Sequence, residues 1–346
     1  MRVSFVVPTY RRPHALSLTL AALVALDYPA SDYEVLVVDD GSGDTTSDVV
    51  ATFAGGEPRV VYLPQLNAGA ATARNHGASE ASGELLIFLD DDIVVPPDHV
   101  HAHLAARSAH GDCLVNGSGS ISPAVSAVLA QTPFGRFRMD LDRRVQAALA
   151  KDPLGDGRMR PRHISAQNLS ISKSLFHALG GFDQSFPYAG REDSDFGLRA
   201  QTAGCALVYD PGIKYAHTDQ HTTLDQMGGR LRRDAVTFVF LVTKHPEIHG
   251  SDALLLENAP ISRFDPWRLR WKKGLKAVCA TGPGLLGVRG IVAVCEQLHA
   301  RPRLLDRLYS MTLGAYIFKG VREGVHTLPQ ARQIALDAMR ARFGDA

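Results

Sequence analysis

Glu84-Leu85-Leu86-Ile87-Phe88-Leu89-Asp90-Asp91-Asp92 runs five successive apolar side chains straight into three carboxylates. An apolar run of that length, closed by an abrupt change of polarity, has the pattern of a strand buried on both faces that ends at concentrated negative charge. Adjacent aspartates repel one another and are poor strand formers, so a triplet that is not fully solvated requires a positive partner. A divalent cation is the simplest one. Oxygen-only ligands in so short a span suit Mg2+ or Mn2+, which hold phosphates through one or two carboxylates and keep several waters. For the triplet in isolation, a solvated acidic loop is the alternative reading.

Working outward toward the N-terminus, the same organisation repeats. Val3-Ser4-Phe5-Val6-Val7 reads as a buried strand stopped by Pro8 and followed by the loop Pro8-Thr9-Tyr10-Arg11-Arg12-Pro13. Residues 14–26 place Leu16, Leu20, Leu23 and Val24 on a helical stripe. Tyr33-Glu34-Val35-Leu36-Val37-Val38 is a second strand, ending at Asp39-Asp40-Gly41-Ser42. A helix over 47–53, a strand over 59–63 and an Ala-rich helix over 70–81, preceded by Asn67-Ala68-Gly69, complete the series. Strand, helix, strand in about forty residues is a βαβ unit, which predicts parallel pairing with right-handed crossovers. Four strand ends then lie along one edge of one sheet, where open parallel sheets bind ligands.

The residues at that edge suggest what is bound. A carboxylate such as Asp40 can accept hydrogen bonds from a ribose or a base N–H, and Arg11 and Arg74 can meet phosphate or a base edge. Taken singly, each is as readily a turn or cap residue. The chain has no GxGxxG and no GxxxxGK[ST], which disfavours a dinucleotide fingerprint and a P-loop.

Composition narrows the partners. The 346 residues carry 37 Lys and Arg against 36 Asp and Glu, a formal balance of +1 that supplies no global field for nucleic acid or a membrane. Four cysteines without CxxC spacing argue against a zinc or redox motif and suit a reducing compartment. The beginning of the sequence shows no signal-peptide pattern, and no apolar run approaches the ~18 residues of a membrane span. A cytoplasmic location is expected, with a peripheral position at the inner face of the membrane as the variant.

Val6-Val7-Pro8-Thr9-Tyr10-Arg11-Arg12, Val37-Val38-Asp39-Asp40-Gly41-Ser42, the segment from Gly69 through Arg74-Asn75 to Gly83, and Phe88-Leu89-Asp90-Asp91-Asp92 resemble, in order and spacing, the family 2 glycosyltransferases of GT-A fold. The resemblance covers roughly residues 3–245. It implies an α/β fold, a GT-A-type Rossmann-like mixed sheet flanked by helices, with a helical C-terminal extension. It also implies a nucleotide-sugar donor, most often a UDP-sugar. Thr9, Tyr10, Asp40 and Arg74 would contact the nucleoside, and Pro8, Arg11, Asn67, Gly69 and Asp91 would complete the nucleotide site. Asp90 and Asp92 would take the place of the DxD pair holding Mn2+ or Mg2+ and the diphosphate, with Asp92 the direct ligand. Asp91 can point away, because alternate residues of an extended segment face opposite sides.

The proton acceptor is expected later in the chain. Residues 164–171 read as a strand and 173–179 as a short helix stopped by Gly180-Gly181. Arg191-Glu192-Asp193-Ser194-Asp195-Phe196-Gly197-Leu198-Arg199 begins acidic and turns helical. A carboxylate at a helix start is favoured in its ionised form by the dipole, and at the rim of a sugar pocket it can take a proton from an attacking hydroxyl. The segment resembles the family's "ED" region, which gives Asp193 the role of general base beside Glu192; a capping box is the structural alternative. Asp195 and Arg199 are four apart and can pair. After the strand 206–210, the resemblance implies a histidine facing the diphosphate or the metal, the place of His217, with His221 as the alternative. Residues 118–151 show no legible pattern and are expected as loops facing the sugar.

The domain boundaries read as a catalytic domain over 1–245, with a nucleotide half 1–115 and an acceptor half 116–245, then helices over 246–346. Residues 263–276 form a basic, Trp-containing segment that suits either peripheral contact with anionic lipid or docking with its tryptophans inward, and docking is the preferred reading. The C-terminal helices can serve as a lid, an acceptor wall or a homo-oligomer contact. The expected reaction is inverting transfer of a sugar to a hydroxyl of a glycan, lipid-linked or small-molecule acceptor. A nucleotidyltransferase is the rival enzyme, but the loop 8–13 lacks the glycines such a site needs. A non-catalytic scaffold of the same fold is the other alternative.

Overall fold

A computed structural model describes residues 1–344 apart from 162, 219–220 and 250–251, with side chains described outside 146–152 and 248–249. In chain order the first elements are β1 (Val3–Thr9), α1 (Pro13–Val24), β2 (Tyr33–Asp39), α2 (Thr46–Ala51), β3 (Arg59–Pro64), α3 (Ala70–Glu80), β4 (Leu85–Leu89) and β5 (Ile93–Val94). Next come α4 (His99–His110), β6 (Cys113–Ile121), α5 (Pro123–Ala130), α6 (Pro133–Leu149), β7 (Ala150–Pro153), β8 (Met159–Pro161), β9 (Asn168–Ser172), α7 (Lys173–Ala178), α8 (Glu192–Thr202) and β10 (Ala206–His217). Seven helices follow: α9 (Leu224–Lys244), α10 (Pro246–His249), α11 (Ala253–Asn258), α12 (Trp267–Cys279), α13 (Gly282–Gln297), α14 (Pro302–Thr327) and α15 (Pro329–Phe343). Two compact units result, one of Met1–Ala127, Asp140–Ser185 and Glu192–Gln220, the other of Val128–Met139, Phe186–Arg191 and His221–Ala346.

The first unit is built on one mixed sheet, ordered β3-β2-β1-β4-β9-β6-β10-β8-β7, with β5 added against β10. The expected parallel set is present: β1 pairs β2 and β4, and β2 pairs β3, all parallel. β9 runs antiparallel between β4 and β6, and this reversal brings the chain before β9 back to the edge where β4 ends. β1 continues two residues past the expected stop at Val7. Pairing with β4 has ceased at Val6, so Pro8 needs no N–H on that side and pairs only with Val38 of β2. The strand expected over 206–210 continues to His217 as β10, interrupted by a register shift between Asp210 and Lys214. Residues 118–151, expected as loops, carry the end of β6 and the helices α5 and α6.

Apolar residues alternate across the sheet as its pleat requires. Leu85, Ile87 and Leu89 of β4 join Val3, Phe5 and Val7 in the core on one face, while Leu86 and Phe88 join Val6 and Leu36 on the other. Two buried histidines of α4 anchor β9 to this core. His99 Nε2 and His103 Nε2 lie 3.2 and 3.0 Å from Asn168 Oδ1, and His103 Nδ1 lies 2.8 Å from Ser170 Oγ. Burial drives the His103 pKa down to about 4 and that of His99 well below the usual value. Both are therefore neutral in the fold, whereas in the unfolded chain they take up protons below about pH 6.5. Stability is expected to be full above that pH and to fall as pH drops toward 4, by at most about 1.4 kcal/mol per pH unit per histidine. Urea unfolding at stepped pH checks this, and His103→Gln should flatten the slope.

In the second unit α9 packs on α14 through Ala235, Val239, Val321 and Val325. Gly320 and Gly324 permit the approach, since a Cβ there would run into Arg232 and Val239. This packing draws α9 into the C-terminal helices, so the compact units divide at 220/221 where the sequence reading placed 245/246. Lys273 of α12 is fully buried, 2.8 and 3.0 Å from the carboxylate oxygens of Asp265. Trp267 and Trp271 point outward, which reverses the inward docking expected for them. No single helix among the described residues is long and apolar enough to cross a membrane.

Candidate active site

The carboxyl ends of β1, β2 and β4 converge as expected, and local chemistry holds each loop in place. At the end of β2, Asp40 is buried and accepts from Gln65 Nε2 (2.8 Å), Ala68 N (2.8 Å) and Gly69 N (2.9 Å). Asn67 Nδ2 donates to the Asp40 carbonyl at 2.9 Å. Asp40 thus organises the turn 65–69, where Gly69 adopts φ +91° to start α3. Neighbouring Asp39 accepts from Tyr62 Oη at 2.6 Å and from Ser42 N at 2.9 Å. Arg11, at φ +54°, donates its backbone N–H to Ser42 Oγ at 2.8 Å and lays its guanidinium 5.0 Å from the centre of the exposed Tyr10 ring. Pro8 is half-buried at the end of β1. Tyr10, Arg11, Asn67 and Gly69 are exposed at this edge; Asp40 lies beneath it.

The aspartate triplet has a positive partner, and it is arginine. Arg12 Nη1 lies 2.8 Å from Asp91 Oδ1 and its Nη2 2.9 Å from Asp92 Oδ2. Arg74 Nη2 lies 2.8 Å from Asp90 Oδ1. The charge of the triplet alone therefore does not demand a cation, as the sequence reading supposed, because two guanidinia already offset it. Asp91 faces inward, accepting from Thr9 Oγ1 at 2.7 Å, and burial pushes its carboxyl up to about 7 against the pull of Arg12 and Thr9. Thr9 and Asp91 hold one another and present neither side chain at the surface, unlike the nucleotide contacts expected of them. Asp92 is also buried, and against that desolvation the Arg12 guanidinium, 2.9 Å away, helps to hold its carboxyl below the usual range.

His217 reaches this point because β10 ends against β5. His217 pairs with Ile93, and Thr218 N donates to the Asp92 carbonyl at 2.8 Å. The ring places Nδ1 3.7 Å from Asp92 Oδ1, beyond hydrogen-bond range, and this buried nitrogen has no hydrogen-bond partner among the described residues. An orphaned imidazole nitrogen facing a carboxylate oxygen fits a divalent cation of the Mn2+ or Mg2+ type held by two protein groups, with water and phosphate supplying the rest. No group of three or more His, Cys, Asp or Glu among the described residues is arranged to hold a metal unaided. His221, the alternative histidine, belongs to the other compact unit.

Arg74 joins the two halves of the site. It is 5 % exposed, and while Nη2 holds Asp90, Nη1 lies 2.8 Å from Glu192 Oε1 at the head of α8. Burial opposes the guanidinium charge, and Asp90 and Glu192 outweigh it. Expected as a nucleoside contact, Arg74 instead lies under the site with both Nη groups engaged. Glu192, expected beside the general base, is buried and paired with Arg74. Asp193, next in the chain, is half-buried. Its Oδ1 accepts from Ser194 N at 2.7 Å and its Oδ2 from Ala166 N at 3.4 Å, while Asp90 N donates to the adjacent Gln167 carbonyl at 3.1 Å. Asp195 pairs with Arg199 at 2.9 Å, as their spacing predicts.

Sequence reasoning missed Arg12. Its position after Tyr10-Arg11 is the only signal, and nothing in the spacing distinguishes which of two adjacent arginines turns inward.

A parallel β3-β2-β1-β4 set with acidic strand ends, an antiparallel β9 and a carboxylate-headed helix form the GT-A-type fold. The chain matches the Glycosyl transferase family 2 profile over residues 4–161. It is 31% identical over 239 residues to validoxylamine A glucosyltransferase of Streptomyces hygroscopicus subsp. jinggangensis, covering 63% of this chain and 56% of that protein. Hyaluronan synthase of Pasteurella multocida is 26% identical over 270 residues, 69% of this chain and 27% of the synthase. The chain thus spans about half the length of the first of these relatives, and less of the second. A mannosyltransferase from Pyrobaculum calidifontis, solved with GDP-Man and Mn2+, shares the fold at TM-score 0.58 and 20% identity, covering 92% of this chain and 86% of that one.

Proposed function

We propose that the chain transfers a sugar from a nucleoside diphosphate to a hydroxyl of its acceptor, with inversion, and that Asp193 is the general base. The observation that carries this reading is the Asp90–Arg74–Glu192 bridge, which ties the acidic end of β4 to the head of α8 and so sets Asp193 beside the donor edge. The exposed Tyr10, Arg11 and Asn67 line the edge that would receive the nucleoside, and Asp40 and Asp39 hold their loops. Asp193 takes the acceptor proton, the acceptor oxygen forms its bond to the anomeric carbon, and the bond from that carbon to the diphosphate oxygen breaks toward the nucleoside diphosphate. The hydrogen bonds from Ser194 N and Ala166 N fix the orientation of Asp193. Asp92 and His217, with Asp90 nearby, would hold Mn2+ or Mg2+; a bound cation supplies Lewis-acid stabilisation of the leaving diphosphate.

The GDP-Man of the Pyrobaculum structure, with the UDP-sugar that the family resemblance implies, sets the panel that tests this. UDP-, GDP- and dTDP-sugars are mixed with the protein, with and without Mn2+, and thermal midpoints are read. At least one donor is expected to raise the midpoint only when Mn2+ is present, and His217→Ala should weaken that dependence about tenfold or more in Mn2+ concentration. A metal-independent shift of equal size for every donor would refute the assignment of Asp92 and His217.

A further inference from the structure

We infer that the outward apolar face of α12 and α13 rests on an anionic lipid surface. Trp267, Trp271, Leu275 and Val278 recur at spacings of four, four and three, one face of a helix, and are 68%, 75%, 59% and 66% exposed. α13 adds Leu286, Ile291, Val294 and Leu298, all exposed. The opposite side of α12 is firmly packed: Lys273 is locked to Asp265, and Cys279 and Ala280 join a core with Val288 and Phe318. The outward stripe is therefore the free side of an anchored helix. Contiguous apolar faces of this kind mark interaction surfaces.

Charge selects the occupant. Residues 261–304 hold nine Lys or Arg against two carboxylates, Asp265 and Glu296, in a chain whose overall balance is +1; Lys272 and Lys276 pair with Glu257 and Arg289 with Asp225, and the charge on offer to a partner is that of Arg263, Arg268, Arg270, Arg301 and Arg303. Asp265 is neutralised by Lys273, and Glu296 accepts from Tyr309. The guanidinium of Arg268 lies 5.4 Å from the Trp267 ring centre, a cation at the level of an indole as at a lipid headgroup boundary. An amphipathic face with tryptophans and a cationic border is the composition of an interfacial helix. A second copy of the chain is a poorer occupant, because self-pairing would set these cations against one another. The 88° bend between α12 and α13 prevents the pair from forming one straight span, which suits adsorption.

Trp267 and Trp271 are the only tryptophans in the chain, so its emission reports this surface without a label. The full chain is titrated with equimolar phosphatidylglycerol and phosphatidylcholine vesicles. Emission should shift to the blue and the protein should co-sediment, at least about tenfold more tightly than with phosphatidylcholine alone and reversibly in high salt. The double variant Trp271→Ser, Leu275→Ser should keep its thermal midpoint and lose binding about tenfold or more, with Trp267 as reporter. Emission indifferent to lipid, equal binding to neutral vesicles, or a blue shift that follows protein concentration without lipid, as a second copy would give, would each overturn the inference.

Discussion

Asp193→Asn is expected to lower sugar transfer by at least about 10²-fold while leaving donor binding near wild type. The amide keeps the size of the carboxylate, and its oxygen can still accept from Ser194 N; only the longer 3.4 Å contact with Ala166 N is given up, so the head of α8 need not move. It cannot, however, take a proton from the acceptor. Arg74 and Glu192 are untouched, and the nucleotide edge with them. Steady-state transfer with the best donor of the panel, together with donor affinity, separates these effects. A variant that transfers at the wild-type rate removes Asp193 from the reaction. One that loses donor binding equally makes its role structural.

Arg74→Ala is expected to destabilise the fold by about 3–5 kcal/mol, because it strands the buried Glu192 and unpairs Asp90. Both Nη groups are engaged in different directions, so the point charge of Arg74→Lys can reach one carboxylate but not reproduce the fork and should recover only part of the loss. Urea unfolding measures the cost. A loss under about 1 kcal/mol for Arg74→Ala would mean that the bridge does not hold the two halves of the site together. Glu192→Gln, which removes the charge and keeps the shape, should be milder than Arg74→Ala if the stranded charge is the cause.

Much of this arrangement was legible in the chain. Five apolar residues before Asp90 read as a strand covered on both faces, and the β-branched runs at 3–7 and 33–38 as a parallel set with its acidic ends along one edge. Asp193 and Asp195 were placed by the change from acidic to helical pattern, and the Asp195–Arg199 pair by its spacing of four. What escaped were directions of side chains set by tertiary packing. Arg12 drew no role from the sequence and Arg74 read as a nucleoside contact, yet both turn toward aspartates that need them. Asp40 and Thr9 have the residue types of ligand contacts, and the structure uses them to fasten a loop and a buried carboxyl. The orientation of β9 depends on pairing partners distant in the chain, to which local periodicity is blind. In α12 the composition suited either orientation, and burial of Lys273 on Asp265 turned the tryptophans outward.

The central claim is that a nucleoside diphosphate binds at the edge formed by β1, β2 and β4 through a cation held by Asp92 and His217. Calorimetric titration of UDP and GDP into the protein with Mn2+ tests it most directly, run on wild type, Asp92→Ala, His217→Ala and Asp193→Asn. One of the nucleotides should bind wild type and Asp193→Asn alike, and bind the other two variants about tenfold or more weakly. Undiminished binding to Asp92→Ala and His217→Ala, or no binding of either nucleotide to wild type, would contradict it.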